Sequence, residues 1–113
     1  MSTMKLTADE QAWLDEYRDA LAKQFPDVVE EIIIYGSKAR GDAGPDSDVD
    51  VLVVISSGGR NTKRAVRHLG HMLAVVSDAV PSIMVYTREE WSSRQQSGSP
   101  FYQAVMRDGV PVA

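Results

Sequence analysis

The feature that most constrains this chain is a pair of apolar runs held apart by a short polar segment. Ile32-Ile33-Ile34-Tyr35 stops at Gly36, and Asp48-Val49-Asp50 opens into Val51-Leu52-Val53-Val54-Ile55. Continuous runs so rich in β-branched residues suit strands buried on both faces. Between them, Asp42-Ala43-Gly44-Pro45-Asp46-Ser47 is made of residues that favour turns, so the two strands, the second over residues 49 to 55, sit close together.

The flanking segments read as helices and one further strand. Trp13, Leu14, Tyr17, Ala20 and Leu21 recur at three- and four-residue steps, and Thr7 with Glu10 forms a capping-box signature, so a helix is expected from residue 7 to 25, ended by Pro26. Beyond the loop Ser56-Ser57-Gly58-Gly59, one apolar stripe of Ala65, Val66, Leu69, Met72, Leu73 and Val76 marks a helix running to about Asp78. Pro81 opens a third strand over residues 82 to 87, and Ser99-Pro100 reads as the N-cap and first position of a last helix closed by Gly109. The polar residues 95 to 99 are expected to be mobile. Trp13, Tyr17, Trp91, Phe101 and Tyr102 are assigned to core packing. The order αββαβα implies an α/β (α+β) fold: a mixed sheet of three to four strands backed by helices, forming one domain over residues 1 to 113.

Composition narrows the classes of function. Without cysteine there is no disulfide framework, no thiolate metal site and no cysteine nucleophile, which fits a reducing compartment and makes the cytoplasm the expected location. The N-terminal residues turn acidic at Asp9 and Glu10 without an apolar h-region, and no segment approaches the length of a membrane span. A formal charge of -4 repels a phosphate backbone, which disfavours a nucleic-acid partner. The basic cluster Arg60, Lys63, Arg64, Arg67, His68 and His71 reads as a solvated helix face, and the two histidines, although at a spacing metals use, have no third ligand in sequence reach.

The chemistry concentrates between Gly36 and Asp50. Asp48 and Asp50, two residues apart at the mouth of a strand, direct their side chains to one face with Cβ atoms roughly 6 to 7 Å apart. Both carboxylates can therefore reach one metal cluster, and magnesium is commonly held by one or two carboxylates together with substrate phosphates. Gly36 permits close backbone approach directly after a strand, while Ser37 can start a short helix whose free N–H groups and hydroxyl face a phosphate. Arg40, three residues on, can either contact phosphate or anchor the acidic loop. Rival motifs fail: a calcium loop needs glycine where Val51 stands, and a P-loop needs lysine and a hydroxyl residue where Asp42-Ala43 stand. Turn chemistry alone accounts for residues 42 to 48 and leaves Asp50 unexplained.

A glycine-serine pair, ten residues and then DxD resembles the signature of the DNA polymerase beta nucleotidyltransferase superfamily. Gly36-Ser37-Lys38-Ala39-Arg40-Gly41 with Asp46-Ser47-Asp48-Val49-Asp50 is similar to its minimal nucleotidyltransferase branch, as are Thr87-Arg88-Glu89-Glu90-Trp91 and Arg107-Asp108-Gly109-Val110. The resemblance implies a magnesium-dependent nucleotidyltransferase, with Asp48 and Asp50 on the metal and as the catalytic acids, and Gly36, Ser37 and Arg40 on the nucleotide. It further implies ATP as donor, AMP as the group transferred, and a HEPN-type protein as partner, the pair acting as antitoxin and toxin. One departure stands out. Equipped members carry a third carboxylate on a neighbouring strand, and Val80-Pro81-Ser82-Ile83-Met84-Val85-Tyr86 has no acid. Ser82 takes the place, or Ile83 if the register slips by one. A serine hydroxyl is a poor magnesium ligand and no base near neutral pH, so the alternative is a degenerate nucleotide-binding module that neutralises its partner by complex formation. Asp78 or Glu89 from a loop is a further candidate for the missing charge.

Overall fold

Thr7 caps the first helix as its spacing from Glu10 predicts: its hydroxyl accepts from the Glu10 N–H, and Glu10 accepts from the Thr7 N–H in return. The computed structural model describes residues 4–44 and 47–113; Met1 to Thr3, and Pro45 and Asp46 of the expected turn, lie outside the described residues. The chain runs α1 (Ala8–Gln24), β1 (Val29–Tyr35), α2 (Gly36–Arg40), β2 (Val49–Ile55), α3 (Arg60–Ala74), β3 (Pro81–Thr87), α4 (Arg88–Gln96), α5 (Pro100–Asp108) and β4 (Val110–Pro111). The four strands form one mixed sheet in the order β3-β2-β1-β4, with β1 antiparallel to both neighbours and β2 parallel to β3.

Side chains alternate across the sheet, and each face carries its own core. Val49, Val51, Val53 and Ile55 of β2, with Ile32 and Ile34 of β1, pack under α1 and α3 against Trp13, Leu14, Tyr17, Leu21 and Val66. Leu52, Val54 and Ile33 point the other way, to Trp91 of α4 and Val105 of α5. Two-sided burial is what the unbroken β-branched runs demanded. Trp13 and Tyr17 also donate from their ring N–H and hydroxyl to the α3 carbonyls of Gly70 and Val66, at 2.9 and 2.8 Å, which joins the two helices of that layer.

Three expectations are corrected. Residues 95 to 99 are structured: Gln95 and Gln96 end α4, the Ser97 and Gly98 amides bond back to the carbonyls of Ser93 and Gln95, and Ser99 caps α5. Helix α4 itself, not expected from periodicity, starts at a second capping box in which Thr87 and Glu90 satisfy each other's backbone N–H. The stripe on α3 is narrower than its spacing suggested and the helix ends at Ala74; Val66, Leu69 and Leu73 pack on the core, while Ala65, Met72 and Val76 face solvent.

One buried ion pair joins α2 to α1. Lys38 Nζ lies 3.0 Å from Glu10 Oε2, with the two side chains 4% and 7% exposed, and the Lys38 carbonyl accepts from the Lys5 N–H. Glu10 thus closes the cap of α1 with one oxygen and holds α2 with the other. Replacing Lys38 by methionine leaves Glu10 as a buried charge without its cation. A loss of about 3 kcal/mol in unfolding free energy is expected, read from urea denaturation, with the double change Lys38→Met/Glu10→Gln recovering part of it.

Candidate functional site

The residues singled out between Gly36 and Asp50 come together at one end of the sheet. Because β1 and β2 are antiparallel and Tyr35 pairs with Asp50, the last residue of β1 and the second of β2 lie side by side, and α2 starts directly above them. Gly36 has φ +73°, a left-handed conformation open to glycine, and a Cβ built there would fall 2.4 Å from Asp50 Oδ2. The glycine is therefore required twice, by backbone angle and by contact with the carboxylate. Ser37 follows as the second residue of α2, half-buried.

Asp50 shares its face of β2 with Leu52 and Val54, so it belongs to the layer of α4 and α5, and Asp48, two residues earlier and exposed, precedes the strand. Burial first, and the Asp48 charge second, raise the Asp50 carboxyl above the usual carboxylate value, while the Arg40 guanidinium acts against them. Two acids that repel each other, Asp50 half-buried and Asp48 exposed, are surroundings that favour a divalent cation. Among the described residues no group of three His, Cys, Asp or Glu stands ready to hold a metal. Two carboxylates with remaining positions left to water and phosphate match the preference of magnesium for hard oxygen donors.

Of the two roles open to Arg40, the structure contains the contacts of the anchoring one. Its Nε lies 3.2 Å from Asp42 and its Nη1 3.5 Å from Asp108 at the end of α5, so it ties the acidic loop to that helix. Tyr35, directly opposite Asp50, packs edge-on against Phe101 with centroids 5.4 Å apart. Burial, then the charge of Asp50, then Tyr86 push its hydroxyl up to about 12. Its contacts are those of a structural ring.

The register also settles which residue of β3 neighbours the acids. Asp50 pairs with Ser82 across the parallel β2–β3 ladder, so Ser82, and not Ile83, stands on the Asp50 face; Ile83 is buried on the opposite side. Asp78 is exposed in the connection before β3, and Glu89 is exposed on α4. Lys38 is the residue that sequence reasoning missed. The capping box that carries its partner was legible, but nothing in the spacing indicated that Glu10 has a second oxygen aimed at a lysine 28 positions on.

With this geometry in place, similarity to known proteins becomes specific. Residues 14–99 match the family profile of the nucleotidyltransferase domain. The chain belongs to this family. Over 46 residues the nucleotidyltransferase domain is 37% identical to a protein of Methanocaldococcus jannaschii named as a candidate protein adenylyltransferase, a stretch covering 41% of this chain and 46% of that one. The match thus spans about half the length of the curated relative. In fold, the domain is similar to a chain from the crystal structure of a mutant form of the toxin–antitoxin pair MntA–HpeT, with a TM-score of 0.57 over 96% of this chain and 73% of the other at 18% identity.

Gly36→Ala tests the contact on which the site is built. The added methyl meets Asp50 Oδ2 in a conformation that costs an L-residue about 1–2 kcal/mol, so the carboxylate must shift. A modest drop in melting temperature is expected, read by thermal denaturation beside the wild type.

Proposed function

We propose that this chain is a magnesium-dependent nucleotidyltransferase that moves AMP from ATP to a hydroxyl of a partner protein, and that it serves as the antitoxin of a toxin–antitoxin pair whose other member is a HEPN-type protein. The observation that carries this reading is the placement of Asp48 and Asp50 at the start of β2 beside the glycine turn into α2, with Asp50 touching the space where Gly36 lacks a side chain. Support for the acceptor being a protein comes from the name of the Methanocaldococcus relative, and support for a toxin–antitoxin role from the MntA–HpeT likeness.

Asp48 and Asp50 would hold the magnesium ion, which supplies charge neutralisation on the triphosphate. Gly36 lets the triphosphate approach the backbone, and the Ser37 hydroxyl adds a donor. Arg40, fastened to Asp42 and Asp108, keeps the acidic loop beside the acids and contributes positive field there. The acceptor oxygen then bonds the α-phosphorus while the bond to the bridging oxygen breaks and pyrophosphate leaves. The chain's part in catalysis is positional and electrostatic.

Ser82 favours a second reading. Facing Asp50 from β3, it offers neither a charge to the metal nor a base to the acceptor, which suits a module that binds nucleotide and partner without turnover. Two measurements separate the readings. Magnesium–ATP at a hundred times its dissociation constant stabilises a binding-competent fold by about 2.7 kcal/mol, so the melting temperature of the wild type rises and that of Asp48→Asn/Asp50→Asn stays where it was. Labelled ATP incubated with the proposed HEPN-type partner then reports transfer. No melting shift and no label on that partner or the chain would end the enzymatic claim; a shift without label leaves the module. Ser82→Asp puts an acid next to Asp50, and transfer to the partner is expected to quicken by roughly a hundredfold, within the usual range for a positioned general base.

A further inference from the structure

Helix α3 holds Arg60, Lys63, Arg64 and Arg67 and no acid, so in a chain of net charge -4 the remaining residues carry -8. Its cations crowd the N-terminal half, where the helix field opposes positive charge, whereas α1 and α4 have acids in the first turn and a base in the last. Lys63 meets Glu90 at 2.7 Å, but among the described residues no carboxylate pairs with Arg60, Arg64 or Arg67. Arg18, Arg40, Arg88 and Arg107 each have a carboxylate, and Arg94 lies over the Tyr86 ring. The three arginines without an acid thus share one helix, with Arg60 and Arg64 exposed on it and Arg67 half-buried. Their placement costs the helix stability and gives the single chain no ion pair, which points to a counter-charge outside it.

The packing of α1 on α3 sets the level of each residue. Trp13 donates to the Gly70 carbonyl and Tyr17 to that of Val66, so four residues forward on α1 is four back on α3, and the two helices run antiparallel. The same count puts Asp15 level with His68, Glu16 with Arg67 and Asp19 with Arg64. All three acids are exposed, on a helix with five acids against two bases. Asp15 and Asp19 have partners one turn along their own helix, Arg18 at 3.8 Å and Lys23 at 2.9 Å, surface contacts that contribute little. One side of the molecule therefore presents an acidic stripe beside a basic one, matched in level, and among the described residues no ion pair joins them.

Such a surface is complementary to a copy of itself. About a two-fold axis parallel to the helices, α1 of each copy lies on α3 of the other with every level unchanged, whereas an axis across them would set acid on acid. We propose that two copies of this chain dimerise through the outer faces of α1 and α3, Glu16 and Asp19 of each copy meeting Arg67 and Arg64 of the other, and Asp15 meeting His68. The match ends at Lys23, which is level with Arg60 and holds Asp19 on its own helix, so the contact is centred on the middle turns. Asp50 faces the layer of α4 and α5, on the opposite side of the sheet from α1 and α3, and both candidate sites stay open in the pair. The dimer is independent of what those sites bind. An interface held by charge is loosened by salt.

Sedimentation equilibrium at sub-millimolar protein tests this. The wild type is expected at twice 12.4 kDa in low salt and at 12.4 kDa in about 1 M salt, where the screening length is about 3 Å. Arg64→Glu/Arg67→Glu and, separately, Glu16→Lys/Asp19→Lys are expected to weaken dimerisation at least tenfold, by setting like charges against each other. Mixed in equal amounts, these two variants pair with one another, and a chain carrying all four changes dimerises again. Lys5→Glu/Arg107→Glu changes the net charge as much as Arg64→Glu/Arg67→Glu and is expected to dimerise like the wild type. Thermal melting establishes that each variant is folded; Arg64→Gln/Arg67→Gln, which introduces no acid, replaces a reversed variant that is not. A wild type that stays at 12.4 kDa in low salt, reversed variants that do not pair when mixed, or a loss in Lys5→Glu/Arg107→Glu equal to that in Arg64→Glu/Arg67→Glu overturns the assignment.

Discussion

The carboxylate of Asp50 rests where the side chain of residue 36 would otherwise be. A Cβ at Gly36 would stand 2.4 Å from Asp50 Oδ2, and the left-handed backbone there is the turn that lets β1 end and α2 begin within one residue. Everything at the candidate site inherits its position from this contact. The Tyr35–Asp50 pairing fixes how far β1 overlaps β2, that overlap places the first turn of α2 over the acids, and the buried pair of Lys38 with Glu10 keeps α2 from lifting away. A larger residue at position 36 would strain the backbone and displace the acid together, because both depend on the same absent methyl.

Alternation along β2 then divides structure from chemistry. Val49, Val51, Val53 and Ile55 are committed to the core beneath α1 and α3, whereas Asp50, Leu52 and Val54 face the layer of α4 and α5. Those two helices cover Leu52 and Val54 through Trp91 and Val105 and leave Asp50 at the margin, half-buried, with its carboxyl raised by burial and by Asp48. A carboxylate left wholly in water would have little reason to prefer a cation, and one wholly buried would be protonated. At that margin β3 brings Ser82 beside Asp50.

Much of this was legible in the chain. The strand over residues 49 to 55, the caps at Thr7 and Ser99 and the division into helices around a mixed sheet follow from local signals: β-branched runs, capping spacing and turn residues. The structure answers the register question at Ser82 in favour of the residue expected first. What periodicity misjudged were contacts between distant segments. Met72 and Val76 fit an apolar stripe by spacing but are exposed, Val76 lying past the end of α3 at Ala74, and α4 has so few apolar residues that only its capping box and Trp91 reveal it.

The sequence by itself determined the family motif, the two acids on one side of a strand and the need for glycine before a short helix, because each is a matter of neighbours along the chain and of alternation at a fixed period. Only the tertiary structure decided that Glu10 is the counter-charge of Lys38, that Arg40 pairs with Asp42 and Asp108, that Ser82 stands beside Asp50, and that Val75, Val76 and Val80 are left exposed. Those facts depend on which face of one element meets which face of another. Local propensity carries no information about that meeting, since the same stripe or charge reads alike whether its partner arrives from across the sheet or never arrives.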